Sequence, residues 1–213
     1  MLKVANKLQK SLVFSHKIKQ YSCMPYIATP LKDLWVFEPR VFEDSRGYFF
    51  ESFNQQQFEQ ATNLQVQFVQ DNQSLSQYGV VRGLHMQWGE AAQAKLVRAL
   101  SGTVLDIVVD IRPNSTTFGK SFSIELSGEN KKQLFVPRGF LHGFVVLSEK
   151  AEFFYKCDNY YAPQAEGGVL LTDTDLALDW RVPTDKMIIS DKDQKLPTWK
   201  EFLGLLNTQK DIA

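Results

Sequence analysis

From residue 26 onward the chain alternates short apolar runs with polar breaks, and the runs have the length of strands rather than helices. KLVRAL, TVLDIVVDI, FGKSFSIEL, QLFVP, FLHGFVVL and EFFYKC are rich in β-branched and aromatic residues and are bounded by Gly, Pro, Asn and Ser, the composition of half-buried strands. Ser101-Gly102 between the first two predicts a tight hairpin pairing Leu100 with Thr103, Ala99 with Val104, Val97 with Asp106 and Lys95 with Val108. Period two then puts Lys95, Val97, Val104, Asp106 and Val108 on one face and Leu96, Leu100, Leu105, Ile107 and Val109 on the other. A second hairpin is expected around residues 148–150, joining FLHGFVVL to EFFYKC. LQVQFVQ reads as a strand with Val66 and Phe68 on one face, and VLLTDTDLALDW as one more short strand region. Residues 26–39, broken by Pro30 and Pro39, suit an early strand open to exchange between subunits, and a turn at residues 44–47 leads into an aromatic strand. Two helices are predicted, one over QQQFEQA capped by Asn54 and a final one over TWKEFLGLL behind Pro197. Many short strands with turns every 8–12 residues or so mean an all-β sandwich or barrel of jelly-roll kind with a few short peripheral helices.

Composition adds bounds. With 213 residues, 44% of them hydrophobic, and no repeat or linker, the chain suits a single domain with a full core. Residues 1–23 differ in kind. They carry Lys3, Lys7, Lys10, Lys17 and Lys19, no acid, no apolar core of a signal peptide and no arginine, and read as a poorly ordered basic extension before a domain at 24–213 that opens with Met24. Twenty-four basic residues balance 24 acidic ones, which argues against a nucleic-acid or membrane-surface partner. Cys23 and Cys157 have no motif spacing and suggest a reducing, cytoplasmic setting, and no apolar run approaches the roughly 18 residues that span a bilayer.

The chemistry-bearing residues come next. Pro137, Gly139 and His142 form P-x-G-x-x-H, which resembles the second conserved motif of the cupins, small barrels that commonly hold a metal. Where metal-binding cupins have His-x-His, this chain reads His85-Met86-Gln87, so too few ligands remain and neither metal nor other cofactor is expected. His85 is a candidate base or a satisfied structural histidine. Lys95 can stabilise an oxyanion or pair with Asp106, and on the strand pattern alone the ion pair is the commoner arrangement. Tyr155 and Tyr161 are proton donors or core and rim aromatics, Asp193 orients His85 or is a surface carboxylate, and Arg82 holds a phosphate or is simply solvated. Each functional role is the rarer one taken singly. Their joint occurrence is what points to a site.

F-x-D-x-R-G-x-F-x-E-x-F, Q-D-N-x-S, G-V-x-R-G-L-H-x-Q, K-L-V-R, V-D-I-R, P-x-G-F-x-H-G-F, E-F-x-Y-K, N-Y-Y-x-P and S-x-K-D occur in order, and over about residues 27–193 the chain resembles the dTDP-4-dehydrorhamnose 3,5-epimerase family. The resemblance implies a metal-free cupin-like jelly-roll barrel, a homodimer with an exchanged N-terminal segment, and an isomerase that inverts C3 and C5 of dTDP-4-dehydro-6-deoxy-D-glucose beside its C4 ketone. Carried onto this sequence, His85 is the base, Asp193 orients it (Asp191, two residues away, is the alternative), Lys95 stabilises the enolate oxygen, Tyr155 lies beside the sugar and Tyr161 is the proton donor. The resemblance makes Arg82 a phosphate ligand, sends Arg46, Phe49 and Glu51 to the partner's nucleotide with Gln70 and Asn72 nearby, and places His142, Asp106 and Lys192 at the substrate cavity. Single inversion at C3 or C5 for another deoxysugar, and a nucleotide-sugar-binding cupin without turnover, are the competing expectations. Met86 and the loop WGEAAQ depart from the family pattern and leave loop shape and substrate preference open.

Overall fold

The computed structural model describes residues 26–208, so the basic extension, Cys23 and Met24 lie outside the described residues. In chain order the elements are β1 (Tyr26–Ala28), β2 (Trp35–Phe37), β3 (Phe42–Asp44), β4 (Gly47–Phe49), α1 (Gln55–Thr62), β5 (Gln70–Gln77), β6 (Val80–Gln87), β7 (Lys95–Ser101) and β8 (Thr103–Asp110). They continue with β9 (Ser121–Ser127), β10 (Gln133–Val136), β11 (Phe140–Val146), β12 (Lys150–Cys157), β13 (Glu166–Gly168), β14 (Ile188–Ile189) and α2 (Trp199–Thr208). The first sheet runs β1-β2-β10-β7-β12-β5 and the second β13-β6-β11-β8-β9, with β14 alongside β6. The two sheets face each other over Val97, Ala99, Val104, Val108, Phe144 and Phe153, the jelly-roll arrangement the strand pattern predicts.

Neither predicted hairpin forms. β7 lies in the first sheet between β10 and β12, and β8 in the second between β11 and β9, so Ser101-Gly102 carries the chain across the sandwich. Gly102 takes φ +70° there, and a Cβ would run into the Lys150 carbonyl. The link from β11 to β12 crosses likewise, since β11 pairs β6 and β8 while β12 pairs β5 and β7. The predicted faces nevertheless hold: Val97, Val104 and Val108 meet in the interior, while Leu105, Ile107 and Val109 join the outer core. A strand folded over a corner keeps the same side inward as one folded back in a hairpin.

Two strand expectations are corrected. Residues 64–69 carry no strand. The strand is the polar run that follows, β5, whose Gln70, Asn72, Ser74 and Ser76 alternate with exposed Asp71, Gln73, Leu75 and Gln77. Leu64, Val66 and Phe68 instead pack beside Phe58, Leu96 and Phe135 on the outside of the first sheet. Residues 169–180 form turns that bury Val169, Leu171 and Trp180 against the outer face of the second sheet.

Both helices form where predicted. The Asn54 side chain accepts from the Gln57 amide at 3.1 Å, and α1 buries Phe58. Thr198 and Glu201 make a reciprocal capping box ahead of α2, which buries Phe202 and Leu206. β1 and β2 extend the chain's own first sheet through β10, whereas β3 and β4 form a separate two-stranded arm with Phe49 70% exposed. No helix among the described residues is long and apolar enough to cross a membrane.

Candidate active site

A cavity of about 480 Å³ opens between the two sheets, lined among others by Arg82, His85, Lys95, His142, Tyr155 and Lys192. Its size is that of a site for a small ligand. Arg82 and His85 stand three residues apart on β6 and on a regular strand would face opposite ways. A bulge against β11, where His142 pairs with His85 but Phe144 with Arg82, brings both onto the inner face. Gly83 makes it possible, with φ +132° and no room for a Cβ against the Gly143 Cα and the His142 carbonyl.

His85 Nε2 meets Asp193 Oδ1 at 2.7 Å. Asp193 sits in the turn after β14 with its side chain only 6% exposed, while Asp191 points to solvent, so the alternative partner is ruled out by position. Burial pushes the Asp193 carboxyl up, but the bonds from His85, the Gly83 amide and Ser190 outweigh it and hold the group below the usual carboxylate range. A carboxylate on Nε2 selects the tautomer with the proton there and leaves Nδ1 as the nitrogen free to take one.

The opposite wall comes from the first sheet. Lys95 on β7 and Tyr155 on β12 are set side by side, Lys95 Nζ lying 5.8 Å from the Tyr155 ring centre. Burial pulls the Lys95 ammonium down and pushes the Tyr155 phenol up. No salt bridge reaches Lys95 among the described residues, and the expected pair with Asp106 does not form. Asp106 is enclosed behind His142, which it meets at 2.9 Å, and does not line the cavity. Arg82 Nε donates to Ser76 Oγ at 3.2 Å, which steadies the guanidinium at the rim.

Several expected residues lie elsewhere. Tyr161 is 54% exposed, outside the cavity lining, with its hydroxyl donating to Glu166 Oε2 at 2.7 Å; the rim, not the interior, holds it because it follows the end of β12. Gln70 and Asn72 face inward on β5, with Gln70 Nε2 donating to Asn72 Oδ1 at 3.1 Å, yet neither lines the cavity. Arg46, Phe49 and Glu51 belong to the arm and its end, away from the chain's own cavity, and Arg46 is bound to Asp44. Glu166 was not picked out in the sequence. It takes Tyr161 and, at 2.5 Å, Lys192 on one oxygen, and its carboxyl stays low because those partners outweigh burial. A lone glutamate opening a three-residue strand gives no periodic or motif signal.

The donor set does not suit a metal. Gln87, which stands where metal-binding cupins have a histidine, donates to the Ala91 and Tyr160 carbonyls and accepts from the Ala162 amide, clamping two loops. No group of three His, Cys, Asp or Glu side chains able to hold a cation occurs among the described residues. Met86 packs in the outer core, so that departure from the family pattern is remote from the cavity.

The family model for dTDP-4-dehydrorhamnose 3,5-epimerase matches residues 28–201. The Escherichia coli (strain K12) dTDP-4-dehydrorhamnose 3,5-epimerase is 51% identical over 182 residues, 85% of this chain and 98% of that relative. The crystal structure of dTDP-4-dehydrorhamnose 3,5-epimerase from Elizabethkingia anophelis NUHP1 superposes with a TM-score of 0.82 at 57% identity, covering 84% of this chain and 98% of the other. That of dTDP-6-deoxy-D-glucose-3,5-epimerase from Legionella pneumophila Philadelphia 1, in complex with dTDP-4-keto-L-rhamnose, gives 0.81 at 43% identity over 85% of this chain and 96% of the other.

Proposed function

The chain belongs to the dTDP-4-dehydrorhamnose 3,5-epimerase family, and from that premise we propose that it converts dTDP-4-dehydro-6-deoxy-D-glucose to dTDP-4-dehydro-L-rhamnose by inverting C3 and C5. The observation that supports the reading is the placement of His85 and Tyr155 on facing sheets of one cavity, with partly buried Lys95 beside Tyr155. A proton next to a ketone leaves only if the enolate charge is met where it develops. The sugar lies between the sheets with its C4 oxygen toward Lys95. His85, oriented by Asp193, removes the proton through Nδ1. The second proton comes from the opposite wall, which inverts the centre.

That donor is Tyr155 rather than Tyr161. Tyr155 shares the cavity with His85, whereas the Tyr161 hydroxyl is engaged with Glu166 at the surface. A buried phenol, hard to ionise, holds its proton until the enolate forms, and a positioned acid or base contributes about 10²–10⁴-fold. His142 completes the sugar pocket, and Arg82 and Lys192 at the rim take the pyrophosphate, anchoring the substrate while the ring reacts.

The same proposal extends to assembly and setting. The arm of β3 and β4 reaches a second copy in a two-fold dimer, carrying Arg46, Phe49 and Glu51 to the partner's nucleotide near its Gln70 and Asn72 positions. Its exposed aromatics and separation from the chain's own cavity support the crossing. β1 and β2 pair within their own chain, and the arm is the part of the N-terminal segment to which the crossing is assigned. A buried free thiol at Cys157 fits a cytoplasmic location. The test is product analysis. Incubated with dTDP-4-dehydro-6-deoxy-D-glucose, the protein gives a product with both C3 and C5 inverted by NMR coupling constants. Inversion at one centre alone assigns it to another deoxysugar route, and no inversion removes the reading.

A further inference from the structure

Asp106 is a buried carboxylate that the chemistry above leaves unused. It sits on β8, 0% exposed, on the inward side with Val104 and Val108. Oδ2 meets His142 Nε2 at 2.9 Å, and Oδ1 is buried with no hydrogen-bond partner among the described residues. An enclosed carboxylate with an idle oxygen is costly unless a cation stands near, and it is the kind of exception that calls for an explanation.

The cation is Lys95, on the inner side of β7, lining the cavity and without a salt bridge among the described residues. Burial disfavours its charge, and three groups on the elements around it oppose that: Cys157 on β12, Asp106 on β8 and Glu166 on β13. Cys157 is the cross-strand neighbour of Lys95, but burial pushes its thiol up, so at neutral pH it carries no charge. Glu166 is already shared by Lys192 and Tyr161. Tyr155, whose ring lies under Lys95, is pushed up by burial and stays neutral, and His85, His142 and Arg82 line the same cavity without supplying a negative charge. Burial pushes the Asp106 carboxyl up as well, while the His142 bond and the nearby lysine oppose that; with Glu166 already shared, Asp106 is the carboxylate left to balance the lysine. Its own bond to His142 keeps it in place, and the ring of that histidine stacks at 6.4 Å on Phe153.

We propose that Asp106 is a positioning residue with two tasks, one oxygen fixing the tautomer and plane of His142 and the other supplying the counter-charge that keeps the Lys95 ammonium protonated and directed into the cavity. The proposal rests on the epimerase reading for what Lys95 does, but the charge on Lys95 can be followed without turnover.

Lysine Nζ-labelled protein serves for the test, with Lys95 identified through the Lys95→Arg variant. In the wild type the Lys95 ammonium persists through neutral pH. A neutral amine below about pH 7 overturns the proposal even if no variant folds. In Asp106→Asn, which keeps the shape and removes the charge, the ammonium is lost at a pH about one unit lower or more. The alkaline limb of kcat moves the same way, and kcat falls about tenfold or more with KM nearly unchanged. Asp106→Glu, which retains the charge, restores the ammonium and part of kcat. An unchanged Lys95 titration in Asp106→Asn, or a glutamate variant as impaired as the asparagine one, refutes the assignment. A protein with the predicted ammonium behaviour but no epimerase activity leaves the counter-charge standing and removes only the reaction assigned to it.

Discussion

Replacing Asp193 by asparagine tests the orientation of the base with little change in shape. The wild-type bond from His85 Nε2 is 2.7 Å long and enters a side chain that is 6% exposed, so it is short, charge-assisted and poorly screened by water. A carboxylate can only accept, which puts the ring proton on Nε2 and the lone pair on Nδ1. An asparagine can instead offer its NH₂ to Nε2, which moves the ring proton to Nδ1 and blocks the base. The equivalent change in the Ser-His-Asp triad costs about 10⁴-fold in turnover, and loss of a positioned base in general costs about 10²–10⁴-fold, or about 3–5 kcal/mol of barrier. We therefore expect kcat for Asp193→Asn to fall into that range with KM little affected. Deuterium entry into substrate, followed by NMR in D₂O, should fall in parallel. Stability should drop less, by about 1.5–3 kcal/mol for one hydrogen bond to a charged group. The pH dependence has a definite sign. The Asp193 carboxyl is held low in the folded protein, so the pair's contribution is fully present above the ordinary carboxylate range and is lost as pH falls through the depressed value. The wild type thus has the full pair at neutral pH, and its advantage over the variant shrinks only in acid. Turnover of Asp193→Asn within about tenfold of wild type, in a folded protein, would refute the reasoning.

Three further expectations follow from the same geometry. Tyr161→Phe should leave kcat near the wild-type value, because its hydroxyl is spent on Glu166 outside the cavity; a kcat as low as that of Tyr155→Phe would return the donor role to Tyr161. Mixed dimers carrying Phe49→Ala on one chain and His85→Ala on the other should retain roughly half of wild-type activity, since one site is damaged twice and the other not at all; impairment of both sites would show that the arm does not cross. Prolonged chelation should not lower turnover, given the commitment of Gln87 to three backbone partners, and activity restored by added iron, zinc or manganese would contradict the metal-free site.

The limits of the sequence reading have physical causes. Period-two alternation told correctly which side chains of KLVRAL and TVLDIVVDI face inward, because that depends only on the local backbone. Which strand lies beside which depends on long-range pairing. Ser101-Gly102 serves a sheet-crossing corner as well as a hairpin, and both hairpin expectations failed for that reason. β5 gives no apolar alternation because its inward face is polar, Gln70, Asn72, Ser74 and Ser76, while the apolar run before it packs on the outside. His85, Lys95 and Asp193 were legible through ordered motifs. The bulge that turns Arg82 and His85 the same way, the burial of Asp106 behind His142 and the latch of Glu166 on Lys192 and Tyr161 arise only from the fold.

The measurement that bears most directly on the facing base and acid is deuterium wash-in compared between His85→Asn and Tyr155→Phe, with dTDP-4-dehydro-6-deoxy-D-glucose in D₂O. His85→Asn removes the base, so exchange at C3 and C5 and epimerisation should fall together by about two orders of magnitude or more. Tyr155→Phe keeps the base and Lys95, so the enolate still forms and is reprotonated by His85 on the side it left. Deuterium should enter without inversion, more slowly than in the wild type but well above the histidine variant. Loss of exchange in Tyr155→Phe as complete as in His85→Asn, with substrate still bound, would contradict the division of the two roles between opposite walls of the cavity.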